Sequence, residues 1–273
     1  VIDVFGQEVG LDKLYAESEK TLEPIFPTKA SKIVNDKIEN ISYKLDAKPA
    51  KSSLSIVKPR VFLPAFPGTN CEYDSARAFE RAGAETHIGV FRNMTYADIE
   101  ASIDMMVEEI NKSQIIMIPG GFSAGDEPDG SAKFIATVFR NPRIEEAVMN
   151  LIKNRDGLMI GICNGFQALI KLGLVPYGEI KTPSADMPTL TYNNIGRHQA
   201  KIVQTRVASN KSPWLVGTEV GDIHSIAISH GEGKFVASDE VMKTLIENGQ
   251  IATQYVDFDG NATYDIDFNP NGS

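Results

Sequence analysis

Two stretches of this chain have the residue types and spacing that covalent chemistry requires. The first is Gly161-Ile162-Cys163-Asn164-Gly165-Phe166-Gln167. The apolar run 157–162 predicts a strand, and 165–172 predicts a helix ended by Gly173, so Cys163 falls at a strand-to-helix junction. A nucleophile in so tight a turn needs small flanking residues, and glycines stand two before and two after the thiol. The helix dipole there favours a thiolate, and the first helical amides point toward a developing oxyanion. The Asn164 N–H is the natural first donor. A lone cysteine is most often a small buried hydrophobe; the strand–Gly-x-Cys-x-Gly–helix context favours a nucleophile instead.

The second stretch is Pro119-Gly120-Gly121-Phe122-Ser123-Ala124-Gly125-Asp126, directly after the apolar run 115–118. In a parallel sheet both stretches lie at the carboxyl edge, where open α/β sheets bind ligands. Adjacent glycines let backbone approach a ligand closely, so Gly120 and Gly121 are candidates for a second oxyanion donor. Gly121-x-Ser123-x-Gly125 is also formally a serine-hydrolase elbow. Such an elbow needs a helix immediately after the serine, and residues 126–130 read as loop. A Ser123 hydrolase therefore stands as an alternative only. A third group, Ser229-His230-Gly231-Glu232-Gly233, places a histidine and a carboxylate two apart in a Gly-rich turn. By spacing alone His230 is the best general base among His87, His198, His224 and His230. No Cys/His/acid spacing matches a metal site, and no Gly-rich loop has the lysine or the helix-opening pattern of a nucleotide site.

The elements that must position these residues alternate. Strands are predicted at 61–66, 86–91, 115–118 and 157–162. Helices are predicted at 73–82, at 131–140, from a Thr95 cap through Ile99, Ile103, Met106 and Ile110, from Asn141-Pro142 to about 154, and at 165–172. This alternation implies right-handed crossovers and a mostly parallel sheet with helices on both faces. After Thr189 short pieces at 190–192, 201–207, 223–229, 250–257 and 262–267, with one helix at 239–248, predict an antiparallel extension. Residues 27–60 hold eight Lys+Arg, three acids and three prolines, and read as a linker or a strap.

Composition narrows the function classes. The 273 residues hold 27 Lys+Arg against 36 Asp+Glu, a net charge of −9. Residues 1–60 carry a net +1 and residues 61–273 a net −10. An acidic body is a poor polyanion binder, because counterion release needs clustered cations. No nucleic-acid partner is expected. No apolar run reaches the ~18–20 residues of a membrane span, and no signal-peptide pattern is present. Two cysteines make no disulfide framework, which favours a reduced, cytoplasmic setting.

The segments GICNGFQAL (161–169), PGGFSAGD (119–126), SHGEG (229–233), NPNGS (269–273) and PGTNCEYDSARAFERAGAE (67–85) together resemble the glutamine amidotransferase domain of phosphoribosylformylglycinamidine synthases. The resemblance runs from about residue 58 to the end. It implies a flavodoxin-like, class I amidotransferase fold over 58–273, with 1–57 as the tail of a synthetase region plus linker in a large single-chain form. It implies L-glutamine as substrate and a glutamyl thioester on Cys163. Gly121 and Asn164 match oxyanion positions, and Gln167 matches a glutamine contact. Asn194 and Arg197 are expected near the substrate's α-groups. No cofactor or metal is expected in this chain; ATP and Mg are expected in the synthetase domain that receives the ammonia. One departure is plain. The family's base and orienting carboxylate lie in a His-Pro-Glu motif, and none occurs in residues 1–273. His230 and Glu232 match the HGEG element, so the resemblance gives them a structural or substrate-loop role, not the triad. The start at Val1 and the end at Asn271-Gly272-Ser273 are expected to be edges of a fragment with little activity alone. A non-catalytic docking module is the remaining alternative.

Overall fold

A computed structural model describes residues 1–28, 38–45, 56–125 and 132–273. Asp126, the loop 126–130, Ser131 and parts of the predicted linker lie outside the described residues.

The chain starts with a hairpin, β1 (Ile2–Val4) and β2 (Gln7–Val9), followed by α1 (Leu11–Lys20), which buries no residue. The parallel core comes next: β3 (Arg60–Ala65), α2 (Glu72–Arg81), β4 (Glu85–Val90), α3 (Tyr96–Lys112), β5 (Ile115–Ile118), α4 (Lys133–Phe139), α5 (Pro142–Asn154), β6 (Leu158–Gly161) and α6 (Asn164–Leu172). The strands pair in the order β4-β3-β5-β6, all parallel. This is the flavodoxin-like order, with the direction of winding reversing between β3 and β5.

Period-two alternation sorts the strand side chains onto the two faces. Val61 and Leu63 of β3 and Met117 of β5 cluster with Ala76 and Phe79 of α2. Phe62, Ile116 and Ile118 face the other way, into the larger core built by α3, α4, α5 and α6. The predicted caps form. Thr95 Oγ1 accepts from the Asp98 N–H at 3.1 Å, and Asn141 Oδ1 accepts from the Arg143 N–H at 3.0 Å ahead of Pro142. Gly173 closes α6 with φ +84°, a left-handed cap that a Cβ disfavours.

Beyond a single turn, α7 (Leu174–Tyr177), the chain turns antiparallel with β7 (Thr189–Thr191), β8 (Gln199–Val207), β9 (Ile223–His230), β10 (Lys234–Val236), α8 (Asp239–Glu247) and β11 (Thr253–Val256). The antiparallel strands expected after Thr189 are present, but they form their own ladders, β11-β8-β9 and β10-β7, rather than hydrogen-bonding to the parallel sheet. Residues 262–267 form no strand. Ala262 makes one isolated bridge to Val256, and Asp257 accepts from the Asn261 N–H at 2.8 Å in a tight turn instead. The outer edge of β6 meets Trp214, whose indole N–H donates to the Met159 carbonyl at 3.2 Å and whose ring sits edge-on to Phe79.

Residues 38–45 of the predicted linker or strap dock on this chain's own antiparallel layer. The Tyr43 N–H donates to the Ala208 carbonyl at 2.8 Å. Arg206 donates to the Ile41 carbonyl at 2.8 Å and to Ser42 Oγ at 2.9 Å. The Ile41 N–H donates to Gln254 Oε1 at 2.7 Å, and Asn40 bonds the turn at Gly260 and Ala262. The Tyr43 ring presses so closely on Gly249 that a Cβ there would lie 2.3 Å from it.

Candidate active site

Cys163 occupies the tight turn between β6 and α6, as its spacing predicts. Its backbone has φ +54° and ψ −113°, a conformation that costs a residue with a Cβ about 1–3 kcal/mol. Three hydrogen bonds hold it there. The Ile162 N–H donates to the Ile118 carbonyl at 3.1 Å, the Gly165 N–H to the Ile162 carbonyl at 3.0 Å, and the Gln167 N–H to the Cys163 carbonyl at 3.0 Å. The flanking glycines are steric necessities. A Cβ on Gly161 would lie 2.5 Å from the Gly165 backbone, and one on Gly165 would lie 2.0 Å from the Ile118 carbonyl oxygen. The thiol is exposed and free, at the N-terminus of α6.

The loop after β5 closes against this turn. A methyl group built on Gly120 would lie 3.2 Å from Cys163 Cβ and 3.8 Å from its Sγ. The loop is clamped from the other side by residues after β3. The Asn70 N–H donates to the Gly120 carbonyl at 2.8 Å, the Phe122 N–H to the Gly68 carbonyl at 2.8 Å, and the Ala124 N–H to the Pro67 carbonyl at 2.6 Å. Gly121 sits at φ +130°, with no room for a side chain beside Gly68 and Asn70. The Gly121 and Asn164 amides thus belong to the two segments that flank the thiol. Ser123, the alternative nucleophile, is corrected here. It is fully buried, and its N–H donates to Asn164 Oδ1 at 3.2 Å. Its backbone is not left-handed, unlike that of Cys163. A buried serine in a bend cannot present its hydroxyl to substrate as an elbow does.

The turn between β9 and β10 reaches the same region. Gln167 Nε2 donates to the Glu232 carboxylate and to the Glu232 carbonyl, each at 3.3 Å, and Asn164 Nδ2 donates to Gln167 Oε1 at 3.0 Å. Gln167, expected as a glutamine contact, is therefore engaged at both ends of its amide. His230, which spacing singled out as a base, is held by Asn193 through Nδ1 at 3.0 Å. Its Nε2 is buried with no hydrogen-bond partner among the described residues. Burial holds its pKa below the ordinary histidine value; the charge of His198 acts the same way, and a backbone hydrogen bond opposes them. Asn194 accepts from Lys234 Nζ at 2.8 Å and lies against Gly272. The Arg197 carbonyl accepts from Asn193 Nδ2 at 2.9 Å, while Arg197 Nε is buried without a partner among the described residues.

Sequence reasoning missed Asn193 and the role of Asn271. Asn193 is 2% exposed, donates to the Arg197 and His230 carbonyls and, through its own N–H, to the Gly231 carbonyl. Asn271 donates to the Gly233 carbonyl and to the Tyr255 hydroxyl, and its carbonyl accepts from the Asn194 N–H. Adjacent asparagines at 193–194, or in NPNGS, carry no local signal of which long-range carbonyls they will meet. Among the described residues no group of three or more His, Cys, Asp or Glu side chains could hold a metal ion.

A flavodoxin-like parallel sheet with a strained, exposed cysteine on a strand–helix elbow, faced by a Gly-Gly loop, defines an α/β class whose ligand site lies at the carboxyl edge of the sheet. Within that class, the chain belongs to the CobB/CobQ-like glutamine amidotransferase domain family, whose model matches residues 58–273. It is 34% identical over 222 residues to the phosphoribosylformylglycinamidine synthase subunit PurQ of Methanococcus maripaludis, covering 80% of this chain and 74% of that protein. It is 27% identical over 238 residues to the phosphoribosylformylglycinamidine synthase of Dictyostelium discoideum, covering 86% of this chain and 17% of that protein. Among solved structures, that of PurLQS from Thermotoga maritima superposes with a TM-score of 0.52 at 26% identity, covering 78% of this chain and 84% of that one.

Proposed function

We propose that this chain is the glutamine-hydrolysing part of a phosphoribosylformylglycinamidine synthase, supplying ammonia for purine biosynthesis. The observation that carries the reading is the strained Cys163 elbow with the Gly120–Gly121 loop packed against it. The Cys163 sulfur attacks the side-chain amide carbon of L-glutamine. The resulting oxyanion takes hydrogen bonds from the Gly121 and Asn164 amides. The C–N bond breaks, the amide nitrogen takes up the proton the thiol has given up and leaves as ammonia, and a glutamyl thioester remains. Water then cleaves the thioester to glutamate and restores the thiol. The ammonia passes to a synthetase partner, where ATP and Mg belong; this chain itself needs no cofactor. Asn194 and Arg197 lie on the segment assigned to the substrate's α-groups. The two free thiols fit a reduced, cytoplasmic setting.

The large single-chain synthase is the favoured context. The match to the Dictyostelium protein covers 86% of this chain, more than the region 58–273 alone makes up, so it takes in part of the upstream segment. His-Pro-Glu, where the family places its base and orienting carboxylate, does not occur in residues 1–273. Steady glutamine turnover by these residues alone is therefore expected to be low, because an oxyanion site without its triad leaves only residual catalysis. Acylation is the step to test. A glutamine-like chloroketone is expected to label Cys163 and spare Cys71, which is also exposed, as read by peptide mass spectrometry, with excess L-glutamine protecting. Equal labelling of both cysteines, without protection, would sink the reading.

A further inference from the structure

We propose that Glu232 is a positioning residue for Cys163 chemistry: from the β9–β10 turn it fixes Gln167, and through Gln167 and Asn164 it fixes the Gly-Gly loop facing the thiol. The proposal rests on the glutamine-hydrolysing reading above. Its basis is a continuous run of hydrogen bonds. The Ser123 N–H donates to Asn164 Oδ1 at 3.2 Å, Asn164 Nδ2 donates to Gln167 Oε1 at 3.0 Å, and Gln167 Nε2 donates to Glu232 Oε2 at 3.3 Å. Every donor points the same way along this run, so each bond polarises the next. The run ends on a carboxylate, the strongest acceptor available to it. It ties three segments that are far apart in sequence: the loop after β5, the first turn of α6 and the SHGEG turn. Asn164 and Gln167 stand three apart on α6, hence on one face of the helix.

Both ends of the run are anchored. Ser123 is fully buried and Asn164 is 3% exposed, so this end of the run lies away from solvent. The SHGEG turn is held from behind by Asn193, through the His230 and Gly231 carbonyls, and by Asn271, through the Gly233 carbonyl. Glu232 is thus the tip of a braced arm. What it holds is the distance between the Gly121 amide and the Asn164 amide, which together must meet one oxygen of the reacting glutamine. Loss of the arm therefore falls on the chemical step more than on substrate affinity.

The test follows Cys163 alkylation by a glutamine-like chloroketone, resolved into a limiting rate and a half-saturating concentration, with iodoacetamide as an undirected probe and thermal melting as a fold control. Glu232→Ala is expected to lower the limiting rate by about tenfold, the scale of one lost hydrogen bond to a charged group. Half-saturation, iodoacetamide reactivity and melting should stay near wild type. Gln167→Glu, which sets two carboxylates against each other, is expected to be worse. Combining it with Glu232→Gln exchanges donor and acceptor across the same gap and is expected to recover most of the rate. An unchanged limiting rate in Glu232→Ala overturns the positioning role. So does a loss that the double exchange does not recover, or a parallel fall in iodoacetamide reactivity and melting. A wild-type chain whose Cys163 takes iodoacetamide but not the chloroketone overturns the glutamine reading itself, and the positioning role with it.

Discussion

At the scale of single residues, the site depends on what is missing as much as on what is present. Gly161, Gly165 and Gly121 have no space for a Cβ, because backbone carbonyls or amides lie within 3 Å of where it would be. Cys163 itself occupies a backbone conformation that only tight surroundings sustain. His230 shows the opposite economy, a titratable ring kept for its shape. Burial depresses its folded-state pKa below the unfolded value of about 6.5. The unfolded chain then binds more protons than the folded one at mildly acid pH. The stabilisation is fully present above the unfolded value and is lost as pH falls through the folded value. Thermal melting of the wild type is expected to drop between neutral and mildly acid pH. His230→Gln, which cannot titrate, is expected to show a shallower drop in the same scans. Matching slopes would show that His230 is not the group responsible.

At the scale of elements, the Lys-rich segment changes meaning. Composition reads it as a tether, yet residues 38–45 are hydrogen-bonded along β8, β11 and the turn after β11. Arg206 is the pivot, spending two donors on the strap. Each such bond contributes about 0.5–1.5 kcal/mol net, so the strap is expected to stabilise the layer it crosses more than the parallel sheet. Tyr43→Ala combined with Arg206→Ala is expected to speed hydrogen exchange in 38–45, in β11 and around Gly249. Amides of β3, β5 and β6 should keep wild-type protection. Uniform acceleration through both layers would show that the strap instead supports the whole fold.

At the scale of the whole molecule, charge divides along the chain, with a net +1 before residue 61 and −10 after it. That distribution repels polyanions and favours partners with basic surfaces. The chain is expected to pass through immobilised heparin at low salt without retention, and retention released by salt would contradict this. The layered arrangement also explains the site's location. Loops after β3, β5 and β6 meet at the carboxyl edge beside the reversal of winding, and the antiparallel layer contributes Glu232 from across that edge.

The sequence by itself determined the parallel core and the strand–helix elbow that carries Cys163. Capped helices, apolar runs of strand length and glycines at fixed offsets are local signals, and the Cys163 elbow, the Thr95 and Asn141 caps and the Gly173 stop follow from them. Tertiary structure alone decided the rest. Whether Ser123 or Cys163 is presented depends on burial, which the shared Gly-x-nucleophile-x-Gly pattern does not encode. The antiparallel strands at 199–207 and 223–230 could be read, but not that they would pair among themselves. Asn193, Asn271 and Glu232 bond to partners 37 to 65 residues away. Hydrogen bonds of that reach exist only after the layers have packed, because polar side chains carry no periodicity that names their partner.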